Sequence, residues 1–544
     1  MKRRDVIKGL PFLPMAGGLM AMPLTGQAET RTGAAVTSGD GLLGGPDQNI
    51  FRSLGVEPVI NCRGTFTIIG GSLERPSVRA AMEAASRSFV QYDELADGIH
   101  KRLAELTQAP WAMVSAGCAA GLKHVTAACV SGGNPEKLVR IPYLTGLDKT
   151  EVIIPISSRN VYDHAIRNVG VRVTNVYSIQ ELEAKVNPGV AMIYLTSEAE
   201  GFPLEQVSTI AKKHKVPVLV DAAAEDLTVP NVHLQKGADI VAYSGGKAMC
   251  GPQCAGLLIG NKDILMSAWQ ASSPHHGPGR DNKVGREEMI GMLAAVEAWV
   301  TMDHKEQWSK WLELLGRISK AVAKVEGVTA QVDEPTELSN HSPTLNIKWD
   351  ADKLHITGEE VAEELGKTKP RIALGSGGAK VGETGETSID ITSGQLQAGE
   401  EKVVAERVRE ILSQKREPKS TSMEAPVANL TGRWDVQVKF FSSTSMHNFT
   451  IQQDGNWISG SHKGDFSVRD MEGSLSGKAI KLRSVDRAPG DHITFIFSGE
   501  VTAENMSGSI FMGEYRTATF TAVKQKEKKE RRPFMIPSGP PLAT

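Results

Sequence analysis

Short apolar segments alternate with segments of helical periodicity between residues 49 and 271. The apolar runs that predict buried strands are 152–156, 171–176, 191–196, 216–221 and 238–244. Between them, 179–186 and 204–214 repeat apolar residues every three to four positions and predict amphipathic helices. Strands and helices in alternation predict a mainly parallel sheet that is covered on both faces. Ligands gather at the carboxyl ends of such strands, so functional residues are expected there.

Downstream of this α/β region, the pattern predicts two further folding units. A long helical stretch opens residues 291–414, and the strand and terminal helix that follow it predict a smaller α+β domain. The polar, proline-containing segment 415–428 predicts a linker. Alternating strands separated by Gly, Asn and Asp turns in residues 429–525 predict an antiparallel barrel or sandwich. Trp434 on its first strand is reminiscent of small lipocalin-like barrels, in which such a tryptophan closes one end.

The two ends of the chain carry signals of another kind. Arg3 and Arg4 precede a mildly apolar stretch that ends in small residues, so residues 1–28 resemble a twin-arginine signal peptide. We therefore expect export to the periplasm, or a cytoplasmic location if the signal is not used. Residues 29–48 predict a linker, and the charged, then proline-rich residues 526–544 predict a disordered tail.

Composition excludes several classes of protein. The chain has 544 residues, 40% of them hydrophobic, which is enough to bury several cores. Its 61 Lys and Arg nearly balance 63 Asp and Glu, so no electrostatic feature points to a nucleic-acid partner. We expect no membrane span, because no apolar run reaches about 20 residues. The five cysteines do not suggest a disulfide scaffold, and Cys250 and Cys254 lack the further ligands of a metal site.

Three strand ends carry the candidate chemistry. A run of small residues precedes a predicted helix, where backbone N–H groups and the helix dipole can hold a phosphate. Asp221 ends one buried strand, and Ser244 at the end of the next leads through two glycines to Lys247. These groups suit pyridoxal 5'-phosphate, whose aldehyde binds a lysine, whose ring nitrogen pairs with a carboxylate and whose phosphate could contact the Ser244 hydroxyl. The candidate phosphate-binding residues are Ser115, Ala116, Gly117, Cys118 and Ala119.

Each of these features also has an ordinary explanation when it is taken alone. The small-residue loop could be a packing turn, Asp221 a helix cap, and Lys247 a solvated surface residue. Their order favours one site, because Lys247 follows Asp221 by 26 positions, about one strand–helix unit, and a glycine pair precedes it.

Several segments between residues 50 and 415 resemble the selenocysteine-synthase-like family of fold type I pyridoxal-phosphate enzymes. This family includes L-seryl-tRNA(Sec) selenium transferase and the D-glucosaminate-6-phosphate ammonia lyases. The segments that carry the resemblance are 59–82, 89–95, 113–121, 158–173, 220–227, 243–260 and 283–299. The resemblance implies an α/β large domain over residues 49–290, with Lys247 bound to the cofactor, Asp221 at the pyridine nitrogen and residues 115–119 around the phosphate. It implies at least a homodimer, and it does not extend to the β unit.

Within the family, the chain is more similar to the ammonia lyases than to the selenium transferases. The selenium transferase carries an amino-terminal RNA-binding region, where this chain has a signal and a short linker. We therefore expect elimination from an amino acid or amino sugar acid, giving ammonia and a 2-oxo acid, with the amine of Lys247 as the base. The alternatives are transfer, racemisation or aldol cleavage on the same cofactor, and a catalytically inactive binding or scaffold protein.

Elimination also requires a group that holds the substrate carboxylate, which arginine does best through bidentate contacts. The candidates are Arg63, Arg159 and Arg371, each of which could instead form an ordinary salt bridge. Arg371 is favoured because the smaller domain of fold type I enzymes often contributes such an arginine. His164 could orient substrate, move protons or be structural. Ser158 stands where a histidine is common in the family, which leaves open which residue stacks on the cofactor ring.

Overall fold

The computed structural model describes residues 49–197, 199–418 and 422–526. The predicted signal peptide (1–28), the first linker (29–48) and all but the first residue of the predicted tail (526–544) lie outside these residues. They stay predictions. The chain forms two compact units, which meet in sequence at Pro58. In the first unit, the side chain of Asn49 caps a single helical turn.

The helices and strands are bounded as follows. The helices are α1 (Ile50–Ser53), α2 (Pro76–Ser86), α3 (Tyr92–Thr107), α4 (Cys118–Ser131), α5 (Pro135–Leu138), α6 (His164–Arg167), α7 (Ile179–Lys185), α8 (Leu204–Lys213), α9 (Val232–Gln235), α10 (Lys262–Ala271), α11 (Arg286–Thr301), α12 (His304–Val322), α13 (Ala351–Leu354), α14 (Gly358–Lys367) and α15 (Glu400–Leu412). The first strands are β1 (Val59–Asn61), β2 (Ala112–Ser115), β3 (Glu151–Pro155), β4 (Arg172–Val176), β5 (Val190–Thr196), β6 (Val218–Asp221), β7 (Ile240–Ser244), β8 (Gly256–Gly260), β9 (Thr329–Asp333), β10 (Thr344–Asp350), β11 (Arg371–Ala373), β12 (Gly375–Gly378) and β13 (Glu386–Thr392). The remaining strands are β14 (Gly432–Lys439), β15 (Thr444–Asp454), β16 (Trp457–Lys463), β17 (Val468–Ser476), β18 (Ala479–Ala488), β19 (Asp491–Val501), β20 (Asn505–Phe511) and β21 (Thr517–Lys524).

The α/β part is built on a seven-stranded sheet in the order β2-β8-β7-β6-β5-β3-β4. Strands β3 to β7 pair in parallel, and β8 runs antiparallel to both of its neighbours, β2 and β7. Alternate side chains of β5 enter opposite apolar clusters: Ile193 packs with residues of α3, α8 and α11, and Met192 packs with residues of α4 and α10. The predicted mainly parallel sheet covered on both faces is confirmed.

The smaller α+β part is built on an antiparallel sheet in the order β12-β13-β10-β9. Apolar residues of α12, α14 and α15 cover it. Strand β1 pairs in parallel with β11, and Cys62, which follows β1, is fully buried in the same core. Residues 59–62 therefore pack with this smaller part and not with the large domain, in which the sequence pattern had placed them.

Strands β14 to β21 form a closed antiparallel barrel, in which β14 pairs with β21. The structure thus selects a barrel over a sandwich. Trp434 is fully buried, and its indole N–H donates to the carbonyl oxygen of Leu430 (2.9 Å). Of the helices in the described part of the chain, none is long and apolar enough to span a membrane.

Candidate active site

Three adjacent strands bring the predicted phosphate-binding loop next to the predicted lysine loop. Ser115 at the end of β2 and Ser244 at the end of β7 both pair with Gly256, the first residue of β8. This antiparallel insertion places the loop after β2 beside the loop after β7. Residues that are more than 120 positions apart in sequence therefore meet at one edge of the sheet.

The loop after β2 has the geometry of an anion-binding cup. Gly117 has a φ of 89°, and α4 begins directly after it without a side-chain cap from any described residue. The Ser115 hydroxyl donates to the Gly117 carbonyl oxygen (2.9 Å) and fixes the turn. A Cβ atom at Gly256 would lie 2.6 Å from the carbonyl carbon of Gly117 and 2.7 Å from the nitrogen of Cys118. The cup therefore requires glycine at position 256.

Asp221 lies at the end of β6 and contacts the same cup. Its Oδ1 accepts hydrogen bonds from the backbone nitrogen of Ala223 (3.1 Å) and the thiol of Cys118 (3.7 Å). Its Oδ2 accepts a hydrogen bond from the hydroxyl of Tyr194 (2.9 Å). Burial raises the pKa of Asp221, and the hydrogen bonds from Tyr194 and Ala223 oppose that rise. No Lys, Arg or His of the described residues forms an ion pair with Asp221, so this carboxylate can accept a cationic partner.

Lys247 follows β7 through two closely packed glycines. A Cβ atom at Gly246 would lie 2.6 Å from the Cα atom of Gln253, so a larger residue would displace the loop. The positive charge of Lys247 acts to lower the pKa values of Asp221 and Cys118, against burial, which raises both. The amine, the carboxylate and the cup therefore share one site. They fit pyridoxal 5'-phosphate, which needs an amine, a carboxylate at the ring nitrogen and backbone donors at the phosphate.

Asn160 and Tyr194, which form a hydrogen-bonded pair next to Asp221, were not predicted from the sequence. The Tyr194 hydroxyl accepts a hydrogen bond from the Asn160 side chain (3.3 Å) while it donates to Asp221. A usable signal was present, because Tyr194 is a hydroxyl-bearing residue within an otherwise apolar run. Ser158 is fully buried, and its hydroxyl accepts a hydrogen bond from the backbone nitrogen of Thr196 (3.1 Å). Ser158 therefore supports the end of β5.

A cavity of about 1120 Å³ opens at Lys247. Arg63 lines it, with its guanidinium 4.7 Å from the centre of the Phe66 ring. Arg75, which sequence analysis did not single out, also lines the cavity, and its buried Nε has no hydrogen-bond partner among the described residues. The aromatic part of the wall includes Trp299, Trp308 and Trp311.

The other predicted substrate-binding residues are not among the described residues that line this cavity. The guanidinium of Arg159 binds Asp163 (2.5 Å) and Asn175 (2.7 Å). Arg371 donates from Nε to the carbonyl oxygen of Gly366 (2.7 Å). His164 begins α6 and is exposed. These positions do not support the expectation that the three residues hold the substrate, because the two arginines make local contacts and the histidine lies outside the lining of the cavity.

The chain is similar to known proteins over its α/β and α+β parts. Residues 154–364 match the family model described as aminotransferase class-V. A 5'-C-glycyluridine monooxygenase-decarboxylase from Streptomyces sp is 29% identical over 52% of this chain and 73% of the relative. A D-glucosaminate-6-phosphate ammonia lyase from Salmonella typhimurium is 26% identical over 58% of this chain and 86% of the relative. The L-seryl-tRNA(Sec) selenium transferase of Proteus mirabilis is 24% identical over 58% of this chain and 69% of the relative.

A solved structure shows the same fold. The structure of a D-glucosaminate-6-phosphate ammonia-lyase is 24% identical and superimposes with a TM-score of 0.60. It covers 68% of this chain and 100% of the solved chain. This likeness, together with the family match, confirms the fold type I architecture that the sequence resemblance implied.

Removing the Tyr194 hydroxyl should weaken cofactor retention. In Tyr194→Phe, Asp221 loses a buried hydrogen-bond donor, its pKa rises further, and less of the charged form is available to the ring nitrogen. We expect pyridoxal phosphate to bind about tenfold more weakly, as measured by titrating the cofactor into apoenzyme. Tyr243→Phe is the matched control, because Tyr243 is equally buried but bonds to Asn231. Equal losses in the two variants would contradict this role of Tyr194.

A methyl group at position 256 should empty the cofactor site without unfolding the sheet. Gly256→Ala forces the new Cβ into the backbone of the cup, which must shift. We expect the purified variant to contain less than about a tenth of the wild-type cofactor, as measured by release of pyridoxal phosphate in alkali. Gly98→Ala is the control, since its Cβ would meet no atom of the described residues within 4 Å. A Gly256→Ala variant that keeps its full cofactor content would show that the cup does not hold the phosphate.

Proposed function

Because the chain belongs to the selenocysteine-synthase-like family of fold type I pyridoxal-phosphate enzymes, we propose that it is an ammonia lyase. The proposed substrate is an amino acid or amino sugar acid, and the products are a 2-oxo acid and ammonia. One observation carries the proposal: Lys247 shares a site with Asp221 and the cup, and this site opens into a cavity lined by two arginines.

Each residue of the site has a separate role in the proposed elimination. Bound pyridoxal phosphate supplies a sink for the electrons that remain when the α-carbon of the substrate loses its proton. Asp221 would keep the ring nitrogen protonated, and the backbone N–H groups of the cup would hold the phosphate. The amine of Lys247 would take up the α-proton, and the β-substituent would leave with the electrons of its bond to carbon and take up a proton. Water would then hydrolyse the resulting imine to the 2-oxo acid and ammonia. Tyr194 and Ala223 keep Asp221 in place through their hydrogen bonds.

Arg63 and Arg75 are the proposed anchors of the substrate carboxylate. Arg75 is the stronger candidate, because its Nε is buried in the cavity wall without a partner among the described residues. A buried donor that lacks a partner costs free energy, and a carboxylate oxygen would satisfy it. Arg63 is exposed, so it can approach an anion from the solvent side of the cavity.

The similarity to the ammonia lyase supports elimination over transfer. That relative is matched over 86% of its length at 26% identity, whereas the selenium transferase is matched over 69% at 24%. The cavity is also large enough for an amino sugar acid, since sites for small molecules usually measure about 300–1,000 Å³.

A second candidate is decarboxylation of an amino acid that carries a ring. The relative named as a 5'-C-glycyluridine monooxygenase-decarboxylase is 29% identical, and three tryptophans in the cavity wall could stack on such a ring. The two candidates differ in their products. A screen of amino acids and amino sugar acids with purified holoenzyme should therefore measure ammonia, 2-oxo acid and carbon dioxide together. Ammonia and 2-oxo acid in equal amounts, without carbon dioxide, are expected.

Replacing Lys247 should abolish turnover. In Lys247→Ala the base is lost, so we expect no ammonia above background with any substrate that the wild type accepts, and no visible absorbance from a lysine-bound cofactor. Lys213→Ala is the control, because Lys213 is exposed on α8 and pairs with Glu183. Ammonia release by Lys247→Ala at more than about 1% of the wild-type rate would rule out this role.

Replacing Arg75 should weaken substrate binding more than it slows chemistry. Lysine keeps the charge but loses the two-pronged contact, so Arg75→Lys should raise KM about tenfold and change kcat less than about threefold. Arg79→Lys, one helical turn further along α2 and exposed, should leave both constants unchanged. If Arg75→Lys alters kcat alone, Arg75 does not anchor the carboxylate.

A further inference from the structure

The carboxy-terminal barrel contributes a residue to the wall of the catalytic cavity. Glu514 lines the same cavity as Lys247. It lies in the 3-10 turn Gly513–Tyr515, between β20 and β21. Its side chain hydrogen-bonds the hydroxyl of Tyr515 and thereby raises the pKa of Tyr515. The next residue, Arg516, has a φ of 65°, a conformation that a non-glycine residue keeps only where its surroundings hold it.

A second loop at the same end of the barrel is fastened to the α/β domain. In an up-and-down barrel, alternate connections share one end, so the turn between β18 and β19 lies beside the turn that carries Glu514. Arg159 donates from Nη2 to the carbonyl oxygen of Pro489 (2.7 Å). Arg167 pairs with Asp491 (3.0 Å). These two contacts bind Pro489 and Asp491, the residues on either side of the tip of the turn.

A fully buried carboxylate supports both arginines. Asp163 accepts from Nε of Arg159 through Oδ2 (2.5 Å) and from Nε of Arg167 through Oδ1 (2.9 Å). Gly490, at the tip of the turn, lies directly against this group. A Cβ atom there would be 2.7 Å from both Nη2 of Arg159 and Oδ2 of Asp163, and its φ is 84°. We call Arg159, Asp163, Arg167 and residues 489–491 the clamp.

The charge of Glu514 differs from that of most charged residues in the cavity. The α/β and α+β parts contribute Arg63, Arg75, Lys247 and Lys305 to the lining. They also contribute Asp226, which is paired with His341 (2.7 Å). Glu514 is exposed and belongs to another domain, so it stands at the mouth of the cavity. An anionic group at the outer end of a substrate would be repelled there, whereas a hydroxyl or amino group could donate to the carboxylate.

We propose that the barrel completes the substrate site and that Glu514 selects against substrates with a phosphate at the outer end. The clamp holds Glu514 at the mouth. This inference rests on the proposed function for the reacting end of the substrate, but it concerns the opposite end. It distinguishes this chain from the relative that is named for a phosphorylated sugar acid.

The inference can be tested by binding of two ligands that cannot react. D-gluconate and 6-phospho-D-gluconate lack the amino group, and they differ only in the phosphate. Their binding to holoenzyme can be followed at low salt and about pH 8, where the phosphate is dianionic, by the fluorescence of the tryptophans in the cavity wall. Glu514→Gln should tighten 6-phospho-D-gluconate about five- to tenfold and change D-gluconate less than twofold. Because added salt screens charges, it should reduce the effect of Glu514→Gln on the affinity for 6-phospho-D-gluconate.

A matched variant separates this effect from a general change of charge. Glu504→Gln removes the same charge from the connection between β19 and β20, at the opposite end of the barrel, and should change neither affinity. The proposal is overturned if Glu514→Gln leaves both affinities unchanged or alters them equally. Failure to release ammonia from any substrate would count against the proposed lyase function, whereas the outcome of the binding test would still stand.

The clamp has its own test. Gly490→Ala places a Cβ atom against Arg159 and Asp163, so the turn should be released from the clamp. The ratio of the affinities of this variant for 6-phospho-D-gluconate and D-gluconate should then approach the ratio measured for Glu514→Gln. Gly455→Ala is the control for backbone strain. Gly455 also has a positive φ, 56°, but it lies in the turn between β15 and β16, where no atom of the described part of the chain comes within 4 Å of its Cβ position. A wild-type ratio in Gly490→Ala would show that the clamp does not position Glu514.

Discussion

The site depends on one carboxylate that is buried at the end of a parallel strand. Burial raises the pKa of Asp221, so burial alone favours the neutral form of this carboxyl group. Three neighbouring donors, Tyr194, Ala223 and Cys118, and the charge of Lys247 act in the opposite direction. A protonated ring nitrogen would add the direct cationic contact that the described residues do not provide. The cofactor and the carboxylate would therefore stabilise each other's charged forms.

The sheet keeps these groups in register at low conformational cost. Strands β5, β6 and β7 are buried on both faces, so their ends cannot shift without disturbing two apolar clusters. The antiparallel β8 then joins the lysine loop to the cup through Gly256, whose missing side chain leaves room for the backbone of Gly117 and Cys118. Rigid strands with close backbone contacts hold the catalytic groups more accurately than mobile loops would.

Sequence analysis identified the parts of the site that local pattern determines. Asp221 and Lys247 follow apolar runs, and the cup precedes a helix, so each could be placed at a strand end without knowledge of the fold. The prediction failed for residues whose roles depend on tertiary contacts. Arg159 and Arg371 have the right chemistry, but their guanidinium groups bind other protein groups. Arg75 is recognised only from the structure, in which its buried Nε has no hydrogen-bond partner among the described residues. The short strands β2 and β8 were also missed, although strands of the same length, such as β3 and β6, were predicted.

The segment 158–167 links the barrel to the cofactor site, because its residues make contacts with the barrel and with the residues that support Asp221. Asn160 donates to Tyr194, which in turn donates to Asp221. One residue earlier, Arg159 holds the barrel turn and neutralises Asp163, which is fully buried. Loss of the Asp163 charge would leave the buried guanidinium of Arg159 without its carboxylate, which costs far more than loss of a surface ion pair. The accessory barrel therefore contacts the same short segment that supports the cofactor carboxylate, and its position and the geometry of Asp221 are coupled through two adjacent residues.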